Sequence, residues 1–208
     1  MVYKPAMTRW FIAFLIAFPA SAFANCEEDL RVEFSKSPDD ADEGFITNQI
    51  PVSTATLSYA YALGIFPWSI SPEGNGVWYA PPERGVLIFD EVHISRGDRK
   101  AIARIMESGR YQIRVDSDFR QVITECALQR RFVKTWVDGV LTEVPAADWI
   151  TSQHIEEYTR LHQAGKAHSF EIWEGDRMVG GLYGVFVNGY FSGESMFHKA
   201  DDVTKVLY

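Results

Sequence analysis

Met178-Val179-Gly180-Gly181-Leu182-Tyr183-Gly184-Val185-Phe186-Val187-Asn188-Gly189-Tyr190-Phe191, followed by Gly193-Glu194-Ser195-Met196-Phe197, decides the fold class. Two apolar runs flank an Asn-Gly pair, and Asn and Gly tolerate the left-handed backbone that a tight hairpin turn demands. Just upstream, Ser169 to Trp173 alternates in polarity and Glu174-Gly175-Asp176-Arg177 reads as another turn, so an antiparallel meander is expected. Glu194 is the anomaly in this setting. A carboxylate among Gly, Met and Phe is costly to desolvate unless it is paired or binds something polar, which makes it the leading functional residue.

Working outward, Thr54 to Leu63 is an alanine- and tyrosine-rich helical run ended by Gly64, a residue suited to a helix C-cap. Pro67 then fixes an extended exit that presents Phe66 and Trp68 outward. After Val77-Trp78-Tyr79-Ala80-Pro81-Pro82-Glu83-Arg84, the run Val86-Leu87-Ile88-Phe89 is expected to be a strand, and His93-Ile94-Ser95-Arg96 to open a basic helix. A helix is expected from Ser117 to Leu128, a long connection from Arg130 to Asp148, and an amphipathic helix from Ser152 to Gln163. Asp201 or Asp202 could cap a short helix beginning at Val203. The expected fold is α+β and two-lobed. Residues 1–24 form a signal-like segment, 25–50 an acidic linker, 51–148 a small α/β lobe, and 149–208 a second lobe containing the meander.

The N-terminus has a positive start (Lys4, Arg9), a short apolar run from Trp10 to Phe18, and Ala22-Phe23-Ala24 before Asn25, the parts of a secretory signal peptide. Net charge is −8, unusual for a chain that binds nucleic acid, but the charge is unevenly spread. Acids crowd Glu27 to Glu43, whereas Arg96, Arg99, Lys100 and Arg104 recur along one helix and, with Arg130 and Arg131, form either a basic stripe for RNA or a solvated face. Cys26 and Cys126 have no companion cysteines, so no zinc ribbon or CxxC pair is present, and Cys126 is expected to be a buried thiol. The chain has no Walker loop and no GxSxG elbow.

Several segments, in order, resemble the bacterial leucyl/phenylalanyl-tRNA-protein transferase family. They include Tyr61-Ala62-Leu63-Gly64-Ile65-Phe66-Pro67-Trp68, Trp78 through Arg84, Tyr111 through Cys126, Trp149-Ile150-Thr151, Tyr158-Thr159-Arg160-Leu161-His162 and Gly193-Glu194-Ser195-Met196-Phe197. The resemblance implies transfer of Leu or Phe from aminoacyl-tRNA to the N-terminal Arg or Lys of an acceptor protein, marking it for degradation, by a cytoplasmic monomer without metal or other cofactor. It also implies a GNAT-type acyltransferase-like second lobe. His198-Lys199-Ala200-Asp201-Asp202 stands where acetyl-CoA enzymes need a pyrophosphate loop, and its acidic pair disfavours that donor.

By this resemblance Glu194 would position an amino group, and Trp68 and Trp149 would contact the aminoacyl-adenosine. Phe191, Met196 and Phe197 suit either a pocket for the amino-acid side chain or ordinary core. Arg96, Arg99, Lys100 and Arg104 would meet the acceptor stem. Family members continue past the Val203 region into a strand bearing an aspartate and a glutamine, which have no counterpart here, so a C-terminally truncated member is expected. The alternative function, favoured by the signal-like segment, is an exported non-catalytic binding protein on the same scaffold.

Overall fold

The computed structural model describes residues 30, 31, 34, 44–129, 132–146 and 148–207. The signal-like segment, most of the acidic linker, Cys26, Arg130 and Arg131 lie outside them. The architecture is α+β, with antiparallel sheets.

The first sheet is small. Strands β1 (Phe45–Thr47), β2 (Phe66–Ile70) and β3 (Gly76–Tyr79) pair in the order β1-β3-β2. Part of the expected linker is therefore a sheet strand. Helix α1 (Thr54–Ala62) precedes β2. Its start is fixed by a capping box between Ser53 and Thr56, which satisfies two orphan backbone donors. Gly64, at φ +74°, turns the chain out of the helix. The buried residues Thr56, Leu57, Ala60 and Tyr61 make one stripe at helical spacing.

Val86 to Phe89 does not form the expected strand. The run is irregular and ends in a single 3₁₀ turn (Phe89–Glu91), with Val86 and Phe89 68% and 79% exposed. Strand propensity becomes a strand only where a ladder partner exists, and none pairs with this run among the described residues.

The second sheet carries the meander. Strands β4 (Gln112–Val115), β7 (Ala167–Glu174), β8 (Arg177–Val187) and β9 (Tyr190–His198) are hydrogen-bonded in the order β4-β7-β8-β9. β4, from the segment expected in the first lobe, thus joins the second sheet. The β8–β9 turn is Asn188-Gly189, both at positive φ, as the hairpin signal requires. Asp138-Gly139 makes the same kind of turn between β5 (Phe132–Val137) and β6 (Val140–Pro145), so the expected long connection is a two-stranded hairpin.

Helix α3 (Phe119–Leu128) buries Phe119, Val122, Ile123 and Cys126 against β8 and β9. Helix α4 (Ser152–Gln163), with the bounds read from sequence, packs against α1, α3 and β7. Helix α2 (Arg96–Glu107) lies against the 3₁₀ turn Val203–Val206, beside a small cluster of Ile172, Val179 and Val203. Gly180 and Gly181 show that these layers cover opposite faces of β8. A Cβ on the first would touch Val203 and Ile172, and on the second Phe197 and Val122. Asp202 does not cap the 203–206 turn as expected. It sits at φ +63° with no side-chain cap bond and pairs instead with Arg104 (3.1 Å) and Lys205 (3.0 Å).

Glu171 is fully buried and accepts three hydrogen bonds, from the Asp118 backbone N–H (2.8 Å), Ser169 Oγ (2.9 Å) and Trp173 Nε1 (2.9 Å). A buried carboxylate is tolerable when its lone pairs are satisfied in this way, and here it ties the start of α3 to β7.

Gly184 is required by close approach. A Cβ there would lie 2.2 Å from the Ser192 carbonyl oxygen and 2.5 Å from Cζ of Phe191. We expect Gly184→Ala to destabilise the fold by about 1–3 kcal/mol, the usual cost of overpacking. Gly193→Ala, whose Cβ would meet nothing nearer than 3.8 Å, serves as the near-neutral control in urea titrations.

Candidate active site

Two strand irregularities build a cleft. In β9, Ser195 faces Tyr183 and Gly193 faces Gly184, leaving Glu194 as the surplus residue of a β-bulge. In β2, Pro67 faces Trp78 and Ser69 faces Val77, so Trp68 holds the same surplus position. A bulge frees a side chain from strict alternation and re-aims it, a device common at active sites. Both re-aimed residues line one cleft of about 350 Å³, with Phe66, Pro67, Arg84, Trp149, Ser192 and Gly193.

The cleft has aromatic walls and a polar floor. Trp68 is 61% exposed and packs at 6.2 Å from Phe66 and 6.0 Å from Tyr79, leaving much of its indole open. Trp149 is half-buried and meets His154 edge-on at 5.5 Å. That histidine is the N3 residue of the α4 capping box, with Nδ1 3.2 Å from Thr151 Oγ1. Among the described residues its buried Nε2 has no hydrogen-bond partner, and burial pushes its pKa down to about 4, so it is neutral at physiological pH.

Glu194 accepts a 2.9 Å hydrogen bond from Ser192 Oγ. Burial raises its pKa to about 7, against the opposing pull of Tyr61, Ser192 and the Arg84 charge. Near neutrality such a carboxylate is divided between its two protonation states, and it can hold an ammonium group or exchange a proton with an amine. Arg84 is fixed by its guanidinium donating to the Gly64 carbonyl and lying over the Phe66 ring at 5.3 Å. Its cation is available to an anionic or oxyanionic group.

Of the residues expected from sequence, Glu194, Trp68 and Trp149 come together here. Phe191, Met196 and Phe197 do not line the cleft. Phe191 is half-buried against Phe170 at 5.5 Å. Met196 stands opposite Leu182, while Phe197, 1% exposed, stands opposite Gly181 in the core. Alternation along β9 sends these last two to opposite faces. Arg84, Tyr61 and Tyr158 were not singled out from sequence as site residues, although the proline pair before Arg84 signals a chain held rigidly in place.

On α2, Arg96, Arg99, Lys100 and Arg104 are all exposed. Arg99 donates to the Ile94 carbonyl (3.0 Å), and Arg104 is partly neutralised by Asp202. Cys126 is a fully buried thiol, as expected. Among the described residues no group of three His, Cys, Asp or Glu could hold a metal ion.

The family model described as leucyl/phenylalanyl-tRNA protein transferase matches residues 86–208. The chain belongs to this family. Relatives named leucyl/phenylalanyl-tRNA--protein transferase include that of Tolumonas auensis, 40% identical over 155 residues, covering 74% of this chain and 59% of its own length. That of Myxococcus xanthus is 40% identical over 182 residues, covering 86% and 70%, and that of Legionella pneumophila (strain Corby) 43% over 148 residues, covering 71% and 58%. The chain therefore spans less than two thirds of the Tolumonas and Legionella proteins.

The raised carboxyl of Glu194 sets a pH test. Between pH 4.5, its ordinary pKa, and about 7, the folded state keeps a proton that the unfolded chain has lost, so this group lowers stability as pH rises through that window. Buried His154 acts in the opposite sense between about 4 and 6.5, so only a difference isolates Glu194. We expect Glu194→Gln to gain Tm relative to the unsubstituted chain as pH rises from 4.5 to 7, with a constant gap above. Parallel Tm curves across that range would remove the desolvated carboxyl from the account.

Proposed function

We propose that this cleft receives the aminoacyl-adenosine end of Leu- or Phe-tRNA and passes the amino acid to the N-terminal Arg or Lys of an acceptor protein. The observation that carries this reading is the convergence of Trp68, Trp149 and Glu194 in one volume, on a chain that belongs to this family. A base can stack on an exposed indole, a source of binding that tolerates any flat ring. Glu194 holds an amino group, and Ser192 and Arg84 add polar contacts at the same floor.

In the proposed reaction the acceptor amine attacks the ester carbonyl, a tetrahedral oxyanion forms, and the tRNA's terminal hydroxyl leaves as the peptide bond closes. Much of the rate would come from holding amine and ester in contact rather than from a strong base. The exposed cations of α2, Arg96, Arg99, Lys100 and Arg104, would meet acceptor-stem phosphates. The acceptor is thereby marked for degradation, and the protein acts as a cytoplasmic monomer.

Purified chain incubated with labelled Phe-tRNA and a protein beginning with Arg should transfer label, and Glu194→Ala should abolish transfer. Trp68→Ala and Trp149→Ala should each weaken binding of phenylalanyl-adenosine by roughly 10- to 100-fold, the size of one lost stacking contact, as read by calorimetry. If phenylalanyl-adenosine binds the double Trp variant as tightly as the unsubstituted chain, the cleft is not the donor site.

A further inference from the structure

We infer that His154 is a positioning residue for Trp149, a buried imidazole strut that sets the angle at which this indole meets the cleft. The inference deepens the proposed transfer and rests on that reading for its functional meaning, while the ring contact that carries it is independent of any substrate.

Trp149 lines the cleft from a stretch, 148–150, that belongs to no strand or helix, so no ladder or helical turn sets its side chain. Among the described residues His154 is the aromatic ring it meets, with centroids 5.5 Å apart and planes at 87°. That is the edge-to-face arrangement favoured by ring quadrupoles. Trp68, by contrast, leans on two rings, Phe66 and Tyr79. An indole with a single ring neighbour keeps one rotamer only as firmly as that neighbour is held.

His154 is held firmly. Its side chain is fully buried, at 0% exposure. Its Nδ1 lies 3.4 Å from the Thr151 backbone nitrogen and 3.2 Å from Thr151 Oγ1, which clamps the ring to the first turn of α4. A backbone N–H only donates, so Nδ1 accepts and the neutral ring carries its proton on Nε2. On its face it stacks with Tyr158 at 6.0 Å, and the Tyr158 hydroxyl is in turn tied to that of Tyr61 at 2.7 Å.

The capping box explains only part of this arrangement. Glu or Gln at the third helical position closes such a box equally well, and neither presents a flat ring to a neighbouring indole. The imidazole thus joins two tasks in one side chain, an acceptor for the helix start and a ring against Trp149. The two tasks separate by substitution.

The test uses the full chain carrying His154→Gln or His154→Phe, each alone and combined with Trp149→Ala. His154→Gln keeps an acceptor for the Thr151 N–H and loses the ring, whereas His154→Phe keeps a ring and loses the acceptor. Calorimetry reads binding of phenylalanyl-adenosine, the ¹H–¹⁵N signal of the Trp149 indole, assigned by its loss in Trp149→Ala, reads the ring contact, and Tm reads the fold. His154→Gln should weaken binding roughly 3- to 10-fold, the worth of one edge-on aromatic pair, and shift the indole signal. Its Tm should stay close to that of the unsubstituted chain. His154→Phe should show the reverse, a lower Tm with binding retained. In the Trp149→Ala background His154→Gln should cost no further affinity, because His154 acts through Trp149.

Unchanged binding in His154→Gln overturns the inference, as does an equal loss with and without Trp149. If His154→Gln does not fold, His154→Phe decides, and loss of binding there counts against. If the unsubstituted chain does not bind phenylalanyl-adenosine, the donor reading falls and the indole signal alone decides the positioning role: a shift in His154→Gln upholds it, and an unmoved signal overturns it.

Discussion

The cleft exists because two sheets are held at a fixed separation, and the Tyr61–Tyr158 hydroxyl contact at 2.7 Å is the polar bond that crosses between their helices. Trp68 belongs to the first sheet and Glu194 to the second. Their shared volume therefore depends on α1 keeping its place against α4 and β8, where Leu57, Ala60, Tyr158, Leu161 and Tyr183 form one continuous core. Apolar burial supplies the cohesion, but burial is non-directional. A buried hydroxyl pair adds registry, because sliding either helix by a fraction of a turn would leave two unsatisfied polar groups in the core.

The same tension between burial and polarity runs through the second sheet, with two carboxylates resolving it differently. Glu171 is sealed off with three donors and belongs to the scaffold. Glu194 accepts from Ser192 and opens on the cleft, and burial raises its pKa to about 7. The scaffold acid on β7 and the cleft acid on β9, separated by β8, thus differ in what surrounds them rather than in depth alone.

The parts legible in the sequence were those encoded by local chemistry. The meander followed from Asn188-Gly189 and the apolar runs around it, and α4 from its spacing of apolar residues. Trp68 stood out because Pro67 fixes an extended exit beside it, and Glu194 because it is a carboxylate among Gly, Met and Phe; both positions are bulges. Non-local information was not legible. Val86 to Phe89 has strand chemistry but no partner in the described sheets. Met196 and Phe197 looked equivalent in sequence, yet strand alternation separates them. The tyrosine pair could not be read from a separation of 97 residues. The Asp138-Gly139 hairpin is a different case, since its turn signal stands in the sequence yet the segment was expected to be only a long connection; φ values of +50° and +78° make the turn.

The bulge in β9 has a consequence for how such a chain can diverge. Because Glu194 owes its aim to one uncompensated residue, a single-codon gain or loss between the Asn188-Gly189 turn and Ser195 would shift the ladder by one step and exchange the acid for a neighbour. The 132–145 hairpin, exposed along β5 and over most of β6, carries no such count and can lengthen or shorten without disturbing the cleft. Length variation should therefore accumulate before Trp149, whereas β9 can drift in composition but not in residue number.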